Sequence, residues 1–167
     1  IKKNFYSCNL PNGSYVTEGV FTKFNDGELQ PVVDVVFLIE SKDCNVAPTR
    51  KKMLSNFVTS LTKELKVNSI DEVRFAVVAF GGVGEFEKPK TITSNGKVFT
   101  DAKNIQSYFD HIKSANGKNS DVFSAVTKAS ELIFKPGAVK IFVLSLCSEC
   151  QLNLLKVRNS TKLIKIN

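Results

Sequence analysis

The first regular feature of the chain is an almost unbroken apolar block. In "VVDVVFLI", residues 32–39, apolar residues fall on both alternating positions, so a strand there has two buried faces. "VRFAVVAF" at 73–80 and "VKIFVLSL" at 139–146 repeat the pattern. Between these blocks the period changes. In "APTRKKMLSNFVTSLTKELKV", residues Met53, Leu54, Phe57, Val58, Leu61 and Leu65 recur at helical spacing, with Lys and Thr opposite. That spacing predicts an amphipathic helix, with Thr49, after Pro48, as its N-cap. "DAKNIQSYFDHIK" puts Ile105, Tyr108, Phe109 and Ile112 on one helical stripe, capped by Asp101. "SDVFSAVTKASELIF" predicts a further helix. Its buried face is Val122, Val126, Ala129 and Ile133, and Pro136-Gly137 ends it. "KTITSNGKVFT" reads as a hairpin around Asn95-Gly96. Beyond Cys147 the chain reads as a loop, a short helix and a strand at 162–166.

Wholly apolar strands alternating with amphipathic helices predict an α/β fold with a doubly wound, mostly parallel sheet. Residues 1–31 differ. Their turn signals, Pro-Asn-Gly and Asn-Asp-Gly, flank short β-prone pieces and end at Pro31. They predict an extended or hairpin arm, the tail of a preceding Cys-rich module, ahead of a main domain at 32–167.

Composition narrows the function classes. No apolar run reaches the roughly 20 residues that cross a bilayer, so no transmembrane segment is expected. Net charge is +7, but the lysines are spread along the chain, "RKK" at 50–52 is the one tight cluster, and arginine occurs only at 50, 74 and 158. Nucleic-acid surfaces concentrate charge and favour Arg, so no nucleic-acid partner is expected. The chain begins without Met and without a signal-like apolar core, which suggests a mature product or a piece of a longer polypeptide. The even set Cys8, Cys44, Cys147 and Cys150, with sequons at Asn12 and Asn159, points to a secreted, disulfide-bonded glycoprotein. Gly81-Gly82-Val83-Gly84 follows a strand but lacks the Lys-Ser/Thr of a phosphate loop. It reads as a flexible loop.

From "DVVFLIES" through "VRFAVVAFGG", "FTDAKNIQSYFDHI" and "NSDVFSAVTKASELIF" to "GAVKIFVLSLC", the segment order resembles a von Willebrand factor A domain. That family holds magnesium or manganese with Asp-x-Ser-x-Ser after its first strand, a loop Thr and a later Asp. The ion takes an acidic ligand residue. Carried across, the positions fall on Glu40, Lys42, Cys44, Ser120 or its neighbour Asn119, and Leu146. An ammonium, a thiol and an alkyl chain do not ligate a hard cation. The resemblance therefore implies a degenerate site without metal or other cofactor.

A narrower resemblance rests on "CNLPNGSYVTEGVFTK", "VVFLIESKDCN", "RFAVVAFGGVGEFEKP", "VFTDAKN" and "FVLSLCSEC". These look like the C-terminal end of arthropod apolipophorins, relatives of vitellogenin and apolipoprotein B that include mite group 14 allergens. The resemblance implies a non-catalytic domain of a secreted lipid-transport apoprotein in a haemolymph-like fluid. Lipid would be bound through the parent protein, with a protein receptor or other apoprotein segments as partners. The alternative is an extracellular adhesion or ligand-binding A domain with a defective metal site.

In a sheet of that order the strands before Cys44 and before Cys147 are neighbours. The preferred expectation is a bridge from Cys44 to Cys147 or Cys150, with a Cys147–Cys150 bridge as the alternative and Cys8 paired upstream. The single histidine, His111, falls on a distant helix, which leaves zinc short of a ligand, and no nucleophile motif surrounds it. Lys42 beside Glu40 and Asp43 predicts a local ion pair. Phe5, Phe21, Phe24 and Phe86 are candidates for a lipid-contact patch.

Overall fold

The computed structural model describes residues 32–70, 72–117 and 121–147 in full, and the backbone of 2–8, 15–21 and 162–166. Strands β1 (Lys2–Cys8) and β2 (Tyr15–Phe21) pair antiparallel, giving the predicted β-rich N-terminal region. A five-stranded sheet follows, built from β3 (Val32–Glu40), β4 (Glu72–Phe80), β5 (Lys90–Ile92), β6 (Val139–Ser145) and β7 (Lys162–Ile166). Its order is β5-β4-β3-β6-β7, with every pairing parallel except β4–β5. Among the described residues four α-helices accompany it: α1 (Asp43–Val46), α2 (Pro48–Val67), α3 (Ile105–Asp110) and α4 (Val122–Ser130). This is the α/β class that the apolar blocks predict.

Every residue of β3 is buried, and alternation divides them between two cores. Val33, Val35, Phe37 and Ile39 pack with Leu54 and Val58 of α2 and with Ile105, Tyr108 and Phe109 of α3. Val36 and Leu38 pack with Ala125 and Ala129 of α4 and with Phe142 and Leu144 of β6. Phe37 anchors the first core. Its ring meets Phe109 and Phe57 edge-on at 5.4 and 6.2 Å and stacks on Phe75 at 6.3 Å.

Asp34 enters the second face near the start of β3 and is fully buried. Arg74 donates to it through Nε at 2.8 Å and Nη2 at 2.6 Å, and the Lys135 amide donates at 2.9 Å. These bonds, and the charge behind them, hold the guanidinium more firmly protonated than usual.

Several boundaries differ from the sequence expectation. The N-cap of α2 is Ala47, not Thr49, because Pro48 occupies the first turn. Its fixed φ suits that position and its missing N–H costs nothing there. Asp101 does not cap α3, whose N-cap is Asn104. Instead its carboxylate accepts from the Asn104 amide at 3.0 Å and closes the turn ahead of the helix. Helix α4 stops at Ser130, short of Pro136-Gly137. Ile133 is thereby released and is 90% exposed. Phe134 takes the inward place, stacked on Phe142 at 6.2 Å and edge-on to Phe99 at 5.8 Å. The Asn95-Gly96 turn forms with φ of 52° and 72°, as a tight hairpin turn requires. Its return arm carries two isolated bridges, Lys97 to Ser94 and Thr100 to Phe75. Phe86 is buried, which removes it from the candidate lipid patch. The side chains of Phe5, Phe21 and Phe24, and the expected short helix before β7, lie outside the described residues.

Phe37→Ala is expected to cost about 3–5 kcal/mol of stability. Ile133→Ala, which empties no core, stays within about 0.5 kcal/mol. Urea unfolding of the two variants checks the contrast.

Candidate functional site

Strand β3 lies between β4 and β6. The chain leaves β3 through α2 towards β4, whereas β6 is added on the opposite side. The carboxyl ends of β3 and β6 therefore border a topological switch point, where α/β sheets place their ligand crevices. The end of β3 is polar there, with Glu40 and Ser41 both fully buried.

A buried carboxylate needs a counter-charge and hydrogen bonds. The Lys42 ammonium lies 2.7 Å from Glu40 Oε1. The Cys147 amide donates to Glu40 Oε2 at 2.7 Å. Lys42 is partly exposed, at 21%, and Glu40 is at 0%. The predicted local ion pair thus joins Lys42 to Glu40.

Asn45, on α1, joins the strand ends beneath this pair. Its Nδ2 donates to the carbonyls of Glu40 at 2.9 Å and Ser145 at 3.0 Å. The Ser145 hydroxyl donates back to Asn45 Oδ1 at 2.8 Å. Beside it a disulfide joins Cys44 to Cys147 across 103 residues of sequence, with Cα atoms 6.0 Å apart. Leu146 faces the core on the α4 side.

The loop after α3 closes the rim. Ser41 donates its hydroxyl to the Lys113 carbonyl at 2.5 Å and accepts from the Ala115 amide at 3.1 Å. Asp43 accepts from the Ser114 hydroxyl, and from Asn116 Nδ2 at 2.7 Å. Those bonds hold its exposed carboxyl below the usual aspartate range, Ser114 contributing most. The Gly81–Gly84 stretch packs directly on this loop. A Cβ on Gly82 would stand 2.8 Å from those of Ala115 and Phe86, and one on Gly117 would collide with the Gly82 carbonyl oxygen.

The arrangement suits closure better than metal binding. The carboxylate at the first ligand position has an ammonium against it, and the third position is a disulfide sulfur. Among the described residues no group of three or more His, Cys, Asp or Glu side chains could hold a metal ion. His111 sits exposed at the end of α3, its Nδ1 on the Ser107 carbonyl. Ser120, Cys150, Asn12, Asn159 and the Cys8 side chain lie outside the described residues. The sequence reading missed Asn45, Ser145, Ser114 and Asn116. Only Asn45 carried a signal, as the next residue after the polar cluster that ends β3.

Helices on both faces of a mostly parallel sheet, with this strand order and a polar strand end at the switch, define a von Willebrand A-like fold. Solved structures similar to it include two of proximal thread matrix protein 1 from the mussel byssus. One gives a TM-score of 0.51 at 16% identity, covering 83% of this chain and 38% of that one. The other gives 0.50 at 19%, covering 84% and 38%. At that identity the likeness is one of fold. In sequence, the chain is 27% identical over 156 residues to the apolipophorins of Locusta migratoria, a match covering 82% of this chain and 5% of that protein. No protein-family model matches the chain.

Replacing Cys44 and Cys147 together by serine frees a long loop in the unfolded chain. The expected loss is about 3–5 kcal/mol, read from urea unfolding without reductant. A loss below about 1 kcal/mol would show that the bridge adds little to the hydrogen bonds around it.

Proposed function

We propose that this chain is a non-catalytic, extracellular ligand-binding domain of von Willebrand A-like fold that works without a metal ion. The observation that carries this reading is the Lys42 ammonium seated on Glu40 at the switch point. A divalent cation entering there would have to displace a bound positive charge and accept a disulfide sulfur as a neighbour. Hard cations favour neither. The ammonium, the bridge and the Asp43 bonds to Ser114 and Asn116 together join the loops at this pole. The Cys44–Cys147 disulfide supports an oxidising compartment and hence secretion.

A second reading concerns the parent protein. We propose that the domain is a segment of a large secreted lipid carrier, where it stabilises the particle or offers a partner surface. The similarity to locust apolipophorins supports this, although the chain spans only 5% of that protein's length. In this reading lipid is bound by the parent, not at the strand ends.

Calorimetric titration of the chain with magnesium and then manganese tests the first reading. No saturable heat is expected, and EDTA should leave the melting temperature unchanged. Saturable binding with a raised melting temperature would restore a metal-dependent adhesion site. Density-gradient flotation of the native fluid, probed with an antibody to this segment, tests the second. Signal floating with lipid on a much longer chain is expected. Signal in the lipid-free fraction at small-domain size would remove the lipid carrier.

A further inference from the structure

The pole opposite the switch point carries an open groove of about 640 Å3. Glu72 and Arg74, at the start of β4, line it together with Lys97, Phe99, Asp101 and Asn104. Its size falls within the range of small-molecule sites.

Arg74 is fixed in place before any ligand arrives. Asp34 holds two of its N–H groups, and the guanidinium carbon lies 4.5 Å from the Phe99 ring centre. A guanidinium has five N–H donors. The others have no protein acceptor among the described residues, although Arg74 lines the groove and is 29% exposed. The facing turn is equally fixed. Ser94 and Lys97 exchange backbone hydrogen bonds at 3.2 and 3.0 Å, and the Tyr108 hydroxyl donates to the Lys97 carbonyl at 2.9 Å. A site held this way loses little entropy on binding.

Charge and hydrogen-bonding capacity define the ligand. Arg74 and Lys97 face Glu72 and Asp101, so the formal charges lining the groove cancel. Neither an anion nor a cation is favoured. Glu72 meets Lys135, and Asp101 holds the Asn104 amide group at 2.9 Å, but each carboxylate keeps acceptor capacity. The Thr100 hydroxyl and the Asn95 amide also line the groove, without protein partners among the described residues. A neutral ligand rich in groups that both donate and accept fits this set, and hydroxyls do both. Phe99 and Tyr108 also line the groove, but Tyr108 is almost wholly buried and the Phe99 ring lies against the Arg74 guanidinium, so recognition rests on the polar groups. We propose that this groove binds a neutral saccharide, with Arg74 and Asn95 donating to its hydroxyls and Glu72 and Asp101 accepting from them.

The test is a titration of the 15N-labelled chain with maltose, lactose, cellobiose and N,N′-diacetylchitobiose, followed by NMR. At least one sugar is expected to shift the amides of residues 94–104 saturably. The double variant Asn95→Gly, Thr100→Val should weaken that sugar about tenfold or more, the loss of one or two hydrogen bonds. Gly suits the positive φ of 52° at position 95 and Val keeps the shape of Thr, so the unfolding midpoint should hold. Glutamate and glycine serve as charged comparators. No saturable shift with any of the four sugars would overturn the proposal. So would shifts outside the groove, a double variant that binds as well as the parent, or comparators binding there in place of sugars.

Discussion

A carboxylate with no exposed surface must be neutralised, and at the end of β3 that requirement shapes everything around it. Glu40 is such a group. An unpaired charge at this depth would cost several kcal/mol, by rough reckoning. Its neutralisation draws two loops inward: Lys42 folds back over the strand end, and the Cys147 amide turns towards the carboxylate. The second contact fixes the chain as it leaves β6. Cys147 then lies 6.0 Å, Cα to Cα, from Cys44, within the reach of a disulfide. Electrostatic demand and covalent closure thus act at the same place.

Strand β3 carries a fully buried carboxylate near each end, and their partners differ. Glu40 has a lysine, a compact point charge on a flexible stem. Asp34 has an arginine, whose planar fork meets both oxygens and stacks on Phe99. A lysine can bend over its partner and cover it. An arginine held by one edge still presents the other. One pole of the sheet is accordingly tied shut and the opposite pole keeps a groove.

Much of the fold was legible because its strands are buried on both faces, which leaves uninterrupted apolar blocks that hardly any other element produces. The stripe of α3 was legible for a similar reason: Ile105, Tyr108 and Phe109, with Ile112 just beyond the helix end, all pack in one core. Element ends were less so. Ile133 fits the helical period, yet Phe134 competes for the same interior and wins by stacking on Phe142. Thr49 and Asp101 have capping chemistry, but a proline and an early turn take the positions they would need. At the site, Glu40, Lys42 and Cys44 could be read because they follow one another. Ser145, Ser114 and Asn116 could not, since they reach the strand end from β6 and from the loop after α3, about 70 to 100 residues away in sequence. Such contacts leave no periodic trace.

Closing a switch point with a lysine and a disulfide changes what the fold responds to. A bound ion stabilises by mass action, so its contribution follows the ion's concentration and vanishes with a chelator. Here the charge is part of the chain and its effective concentration is fixed. The remaining variable is the redox state of the Cys44–Cys147 bond. Reduction would leave Glu40 neutralised by Lys42 and Asn45 still bridging the strand ends. Loss of the bridge therefore loosens the rim without exposing a buried charge. The polar network sets the geometry of this pole, and the disulfide restrains the chain that the network has already brought together.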